Sequence, residues 1–278
     1  MPGRSPRIDA HHHLWCLADR PGRWPPPELA ALHRDFTPDD LAPLLAAAGL
    51  DGTVLVQTLE DEAETAAMLA LAARCPVIRG VVGWTDLKAA DAPERIARLA
   101  RDARLKGLRP MLQDHPDDAW IADPRLAPAA DAMAAHDLAF DALVRLRQLP
   151  HLLTFAARHP TLRIVIDHGA KPAIGQGGSP GWREALAALA ARPNVACKLS
   201  GLLTEAGEGG AEAVRPYAEA ILALFGPGRV MWGSDWPVLI LASDYGAWLA
   251  QCRNLIPPAH HDAVFGANAA AFYRLDRP

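Results

Sequence analysis

Two histidines, His11 and His13, open the chemistry of this chain, within Ile8-Asp9-Ala10-His11-His12-His13-Leu14-Trp15. Alternate side chains of an extended strand share a face, so His11 and His13 point one way and His12 the other. Two imidazoles side by side at a strand end grip one metal ion or polarise one substrate oxygen. The run is embedded between Ile8 and Leu14-Trp15, not carried on a linker, which argues against a purification tag. Two further polar endings follow apolar runs: Asp167-His168 after Arg163-Ile164-Val165-Ile166, and Ser234-Asp235-Trp236-Pro237.

What must position these residues is a series of strands. Short β-branched or apolar runs at 53–57, 77–84, 105–109, 138–144, 163–168, 195–200 and 229–235 follow the first one. Between them lie helical patterns at 38–48, 62–74, 93–104, 124–136, 149–158, 182–192 and 215–225, with two more at 245–255 and 260–273. The first is the most fully signed, with Thr37 as cap, Pro38 at the first position, acids in the first turn and Gly49 as stop. This strand-helix alternation, repeated about eight times in a length close to ~250 residues, predicts an α/β fold: one (β/α)8 TIM barrel over 1–278. An open doubly wound sheet is disfavoured because no Gly-x-Gly-x-x-Gly turn follows the first strand.

In such a barrel the strands' C-terminal ends carry the active site. His11, His13, His168 and Asp235 then converge from strands one, six and eight, and strands one and eight are neighbours in a closed ring. Gln57 ends strand two and Arg109 strand four, while strand five carries Asp141 and then Arg145. Asp167 alternates with His168 and is expected on the opposite face. Asp9 is expected to support the histidine pair or to point away.

Composition narrows the class. The chain has 278 residues, half of them apolar, with a formal net charge of −4, the balance of a globular protein without a nucleic-acid footprint. Cys16, Cys75, Cys197 and Cys252 are far apart, which suggests neither a disulfide framework nor a zinc knuckle. No apolar run is long enough to span a bilayer and no signal core opens the chain, so a cytoplasmic protein without membrane contact is expected.

The quoted segments resemble the amidohydrolase superfamily (amidohydrolase family 2): His-x-His after strand one, His after strand six, Asp after strand eight. The likeness is closest to its sugar-lactonase branch, enzymes like L-fuconolactonase and 2-pyrone-4,6-dicarboxylate lactonase. It runs nearly end to end, through Gly80-Val81-Val82-Gly83-Trp84, Lys106-Gly107-Leu108-Arg109-Pro110, Asp167-His168-Gly169-Ala170-Lys171-Pro172, Cys197-Lys198-Leu199-Ser200-Gly201 and Gly233-Ser234-Asp235-Trp236-Pro237. Binuclear members bridge two metals with a Lys or Glu after strand four and add a His after strand five. Here those places hold Arg109 and Asp141 or Leu143, and a guanidinium does not ligate. The resemblance therefore implies one divalent ion or none. His11, His13, His168 and Asp235 are its candidate ligands, zinc is the expected ion, and no cofactor is required.

The implied activity is hydrolysis of a sugar-acid lactone, a carboxylic ester, in carbohydrate catabolism. His11, His13 and His168 polarise the carbonyl and Asp235 is the general base. Gln57, Arg109 and Lys171 are candidates for binding hydroxyls or a carboxylate, Trp15 and Trp236 for flooring an apolar sugar face. His33, in the long first loop, is a candidate lid residue, although an exposed loop histidine is the simpler reading. The expected partner is a small-molecule lactone, and the chain is expected to be a monomer or homodimer. Two alternatives stand beside this: a mononuclear zinc decarboxylase of an aromatic acid, and a non-catalytic sugar-binding barrel.

Overall fold

Alternation within each strand sorts the apolar side chains into two layers. Ile8, Ala10, Val54, Val56, Val82, Val165 and Met231 pack on one another inside a barrel, whereas Leu55, Val81, Phe140, Ile164 and Trp232 pack outward. The computed structural model describes residues 5–275. Its eight parallel strands lie in sequence order: β1 (Ile8–His12), β2 (Gly52–Val56), β3 (Ile78–Gly83), β4 (Leu105–Leu108), β5 (Ala139–Ala142), β6 (Ile164–Ile166), β7 (Val195–Leu199) and β8 (Val230–Trp232). Bonds from Asp235 N–H to His11 O (2.8 Å) and from His13 N–H to Trp236 O (2.7 Å) close the ring between its first and last strands.

The outer layer is formed by α1 (Pro38–Ala48), α2 (Glu62–Arg74), α3 (Ala92–Leu99), α4 (Ala127–Ala135), α5 (Leu149–Arg158), α6 (Trp182–Ala190), α7 (Leu202–Ala206), α8 (Gly210–Phe225) and α9 (Tyr245–Leu255), with α10 (Asn268–Tyr273) last. The fold is the (β/α)8 barrel that the alternation predicts. The start of α1 is fixed as expected: Asp40 accepts the Thr37 N–H at 2.8 Å, and Gly49 ends the helix at φ 67°.

Element boundaries differ where local chemistry intervenes. The helix expected over 93–104 stops at Leu99, and Asp102 then turns the chain by accepting the Arg104 N–H at 3.0 Å. The helix expected from residue 215 starts at Gly210 and keeps Pro216 inside it, while α7 has no counterpart in the expected pattern. The stretch 260–273 is not one helix. A π turn at Ala263–Ala267 precedes α10 and sets Gly266 against the Pro6 carbonyl, where a Cβ would sit 1.8 Å from the oxygen. Ala269 and Tyr273 of α10 join the inner layer, and Lys106 bonds the Arg274 carbonyl at 3.3 Å, so this segment caps the end of the barrel remote from the histidines.

Candidate active site and metal centre

Strand alternation alone does not build the site. Asp9 pairs with Thr53 but His12 with Leu55, so β1 fits one extra residue against β2 and bulges at Ala10-His11. The bulge leaves Asp9 and His11, of equal parity, with different surroundings. Asp9 accepts the backbone N–H groups of His11 (3.1 Å) and Ser234 (2.9 Å), and the hydroxyls of Ser234 (2.6 Å) and Tyr245 (2.8 Å). It thus pins the backbones of His11 and of the turn before Asp235. Burial raises its carboxyl despite these four donors. His12 faces away, 2.9 Å from the Thr53 hydroxyl, and burial lowers it to about 3.

His11, His13, His168 and Asp235 do come together. His11 Nε2 is 3.2 Å from His13 Nε2, and Asp235 Oδ1 lies 3.3 Å from His13 Nε2, 3.6 Å from His11 Nε2 and 3.9 Å from His168 Nε2. All four residues are buried. His13 Nδ1 lies 2.7 Å from the Val56 carbonyl; an oxygen of that kind only accepts, so Nδ1 carries a proton, and in the neutral ring Nε2 turns a lone pair into the site. His168 Nδ1 is 2.9 Å from the Ser200 hydroxyl, and burial lowers this imidazole to about 4. Burial also pushes the Asp235 carboxyl up, but His168, His13 and His11 outweigh it and hold the group well below the carboxylate range.

Both His168 (φ 53°) and Asp235 (φ 58°) occupy the left-handed region, where the strand direction has already been broken. The expectation that Asp167 faces the opposite side from His168 is corrected here. Strand β6 ends at Ile166; Asp167 keeps the inward side of Val165, 3.5 Å from His11 Nδ1, and the turn at His168 brings that imidazole to the site as well. Arg109 donates to it at 3.1 Å.

A cavity of about 400 Å³ opens above these groups, lined by His13, Arg109, His168, Lys171 and Asp235 on its polar side and by Trp24, Leu29, Leu32, Leu143 and Leu241 on its apolar side. Arg109 is 3% exposed; its guanidinium is shared between Asp167 and the Gln57 carbonyl. Lys171 reaches the cavity while paired with Glu205 at 3.0 Å. Gln57 is fully buried, and its amide donates to the Arg109 carbonyl at 2.7 Å, so it props Arg109. Trp15 lies in the wall of another cavity, of about 490 Å³, between the first loop and α2; there it packs on Trp24 and Phe36. That cavity is lined by no histidine, and four of its charges pair as Arg20–Glu64 and Arg23–Asp61. Trp236 packs edge-on against Phe36, and His33 bonds the Pro25 carbonyl at 2.9 Å within the first loop. None of Trp15, Trp236 and His33 lines the histidine cavity.

Beneath the histidines lies a group that sequence reasoning missed. Lys198, fully buried, is 2.6 Å from Asp141 Oδ2, 3.0 Å from Asp167 Oδ1 and 3.1 Å from His11 Nδ1. The Tyr273 hydroxyl donates to Asp141 at 2.6 Å. Burial raises the Asp141 carboxyl, whereas for Asp167 the same burial is outweighed by Lys198 and His11, which leave it well below the carboxylate range. The signal was present: a lone Lys in Val195-Ala196-Cys197-Lys198-Leu199 and a lone Asp in Ala139-Phe140-Asp141-Ala142 are charges inside buried strands, and buried charges need partners.

The donor set fits one divalent ion. A tetrahedral zinc with bonds near 2.0–2.1 Å keeps its donors about 3.3 Å apart. Those of His11, His13 and Asp235 are 3.2–3.6 Å apart. His11, Asp167 and His168 form a second, overlapping group of candidate donors.

The amidohydrolase family model matches residues 8–275. An L-fucono-1,5-lactonase of Burkholderia ambifaria is 56% identical over 98% of this chain and 97% of its own length. A second L-fucono-1,5-lactonase, from Burkholderia multivorans, is 39% identical over 98% and 97%. An amidohydrolase of Burkholderia multivorans, solved once with bound zinc and once with bound HEPES, superposes with a TM-score of 0.90 at 38% identity, covering 97% of this chain and 99% of that one. The chain belongs to the amidohydrolase family.

Proposed function

We propose that this protein hydrolyses a sugar-acid lactone of the L-fucono-1,5-lactone type to the free acid. The observation that carries the reading is Asp235, an ionised carboxylate beside the imidazoles of His11, His13 and His168 under a cavity the size of one sugar. The 56% identity to an L-fucono-1,5-lactonase supports the substrate class.

Asp235 takes the proton of the attacking water, and the histidine N–H that faces the cavity donates to the carbonyl oxygen as it turns anionic. The tetrahedral carbon then expels the ring oxygen, which takes the proton back from Asp235, and the product acid releases one proton to solvent. An ester suits this site better than an amide, whose amine must be protonated to leave. Arg109 and Lys171 bind polar substituents along one wall. Leu29, Leu32 and Leu241 on the other wall suit the methyl group of a 6-deoxy sugar. His11, His13 and Asp235 would hold a zinc ion, with His168 alongside. Such an ion would supply Lewis-acid polarisation of the carbonyl; in our reading the reaction does not require it.

We place the enzyme in the cytoplasm, acting alone or as a homodimer in sugar catabolism; among the described residues no helix is long and apolar enough to cross a membrane. Proton release from a panel of aldonolactones, L-fucono-1,5-lactone included, tests the proposal before and after chelation. Turnover that survives chelation is expected. Turnover lost on chelation and restored by zinc would refute the metal-free part, and no turnover on any lactone by folded protein would refute the whole.

A further inference from the structure

Four polar groups line up across the floor of the site: Lys198 Nζ to His11 Nδ1 at 3.1 Å, His11 Nε2 to His13 Nε2 at 3.2 Å, and His13 Nδ1 to the Val56 carbonyl at 2.7 Å. The two ends of this row are chemically one-directional. An ammonium has donors only, and a carbonyl oxygen only accepts. Between such ends each neutral imidazole has one arrangement that satisfies every contact. Lys198 donates to His11 Nδ1, His11 Nε2–H donates to His13 Nε2, and His13 Nδ1–H donates to Val56.

We infer that Lys198 is a positioning residue that fixes His11 as the Nε2–H tautomer, so that the site presents a hydrogen-bond donor at the place where a metal ion would otherwise sit. The rival orientation has His11 Nδ1–H donating to Asp167. It is weaker on geometry, because Asp167 Oδ1 is 3.5 Å from His11 Nδ1 while Lys198 is nearer both to that nitrogen and to Asp167, at 3.0 Å. It would also aim an N–H at an ammonium. Arg109 Nη1 has two N–H groups: one donates to Asp167 Oδ2 at 3.1 Å, and the other faces His11 Nε2 at 3.5 Å, a longer contact than the 3.2 Å between His11 Nε2 and His13 Nε2. Lys198 bonds His11 Nδ1 and Asp141 Oδ2, and its charge pairs with Asp167 Oδ1 at 3.0 Å.

This orientation has a consequence for metal binding. His13 Nε2 and Asp235 Oδ1, both with lone pairs turned inward, lie 3.3 Å apart, and a positive group must stand between or beside them. The His11 Nε2 proton is such a group. For His11 Nε2 to ligate zinc, its proton must move to Nδ1, which breaks the Lys198 contact and sets two donors face to face. Lys198 therefore opposes metal binding at His11. Neither the tautomer nor the metal preference rests on the lactonase reading.

Two measurements test it, neither involving substrate. In chelated wild-type protein with ¹⁵N-labelled histidine, long-range ¹H–¹⁵N spectra report the tautomer of His11, assigned by its loss in His11→Asn. His11 is expected as Nε2–H and His13 as Nδ1–H; His11 found as Nδ1–H overturns the inference. The second is zinc affinity by competition with a chromophoric chelator. In Lys198→Met the zinc dissociation constant is expected to fall by about tenfold or more, on the scale seen when a partner of a metal ligand is changed. An unchanged or weaker affinity in folded Lys198→Met overturns it. Should that variant fail to fold with Asp141 and Asp167 left unpaired, the wild-type tautomer decides alone. A chain inactive on every lactone yet carrying His11 as Nε2–H would remove the lactonase reading and leave this one intact.

Discussion

Gly201 has no side chain to offer, yet its replacement by Ala should damage the site more than most core substitutions. The residue sits at φ 62°, and a Cβ built on it would lie 2.4 Å from His168 Nδ1 and 2.6 Å from His168 Cγ. Ordinary contact begins near 3.4 Å, so the imidazole must retreat by about 1 Å. His168 cannot do so freely, because its Nδ1 is held 2.9 Å from Ser200 Oγ, on the residue next to the new methyl group. Two costs follow. The left-handed backbone costs an L residue roughly 1–2 kcal/mol of stability. A misplacement of ~1 Å at a reacting group costs about a hundredfold in rate, or ~3 kcal/mol of barrier. Gly181 separates the two, since it shares the left-handed conformation (φ 79°, ψ −4°, against φ 62°, ψ 6° at Gly201) and has nothing within 4 Å of its built Cβ. Gly181→Ala should lose about 1–2 kcal/mol of stability and keep its kcat. Gly201→Ala should lose at least as much stability and about a hundredfold in kcat/KM on L-fucono-1,5-lactone. Urea unfolding and proton-release kinetics on both variants give the comparison. Equal activity in the two would refute the argument that His168 is held in place from behind.

Two further outcomes are expected. Asp235→Asn keeps the shape of the site but removes the base, and kcat should fall by ~10²–10⁴ without loss of fold; wild-type turnover on every lactone would leave only a sugar-binding barrel. His168 and His12, lowered by burial to about 4 and about 3, should stay neutral in NMR titrations of chelated protein down to pH 5, and protonation above that pH would refute their dry surroundings. The unfolded chain takes up those protons near pH 6.5, so the stability they represent is complete above 6.5 and is lost as pH falls toward 4, roughly 3 kcal/mol for His168 alone.

The barrel was legible because its signal is repeated: eight apolar runs and the helices between them say the same thing. The four central residues were legible for a related reason, since each stands at the end of a run and strand ends converge in a closed ring. What the sequence hid lies where the two-residue period fails. Counting along β1 puts Asp9 on the side of His11, but the bulge turns Asp9 to Tyr245 and Ser234. Counting along β6 puts Asp167 with Val165 inside and sends His168 outward, but the chain leaves the strand at Ile166 and His168 turns to φ 53°, which brings its ring back to the site. Asp235, at φ 58°, departs in the same way. Helix ends carry cap residues that announce them, whereas these departures are stabilised by distant partners: Tyr245 on α9, Ser200 and Lys198 from the seventh strand and its turn, Tyr273 on α10. A single chain read in order shows no such partner. Lys198 is the plainest case. Its strand position marks it as buried, burial demands counter-charges, and Asp141 and Asp167 are the acids on the inner faces of the two strands before it. Buried charge inside a strand is therefore the feature through which this floor could have been inferred, and the irregular turns above it are what the floor holds in place.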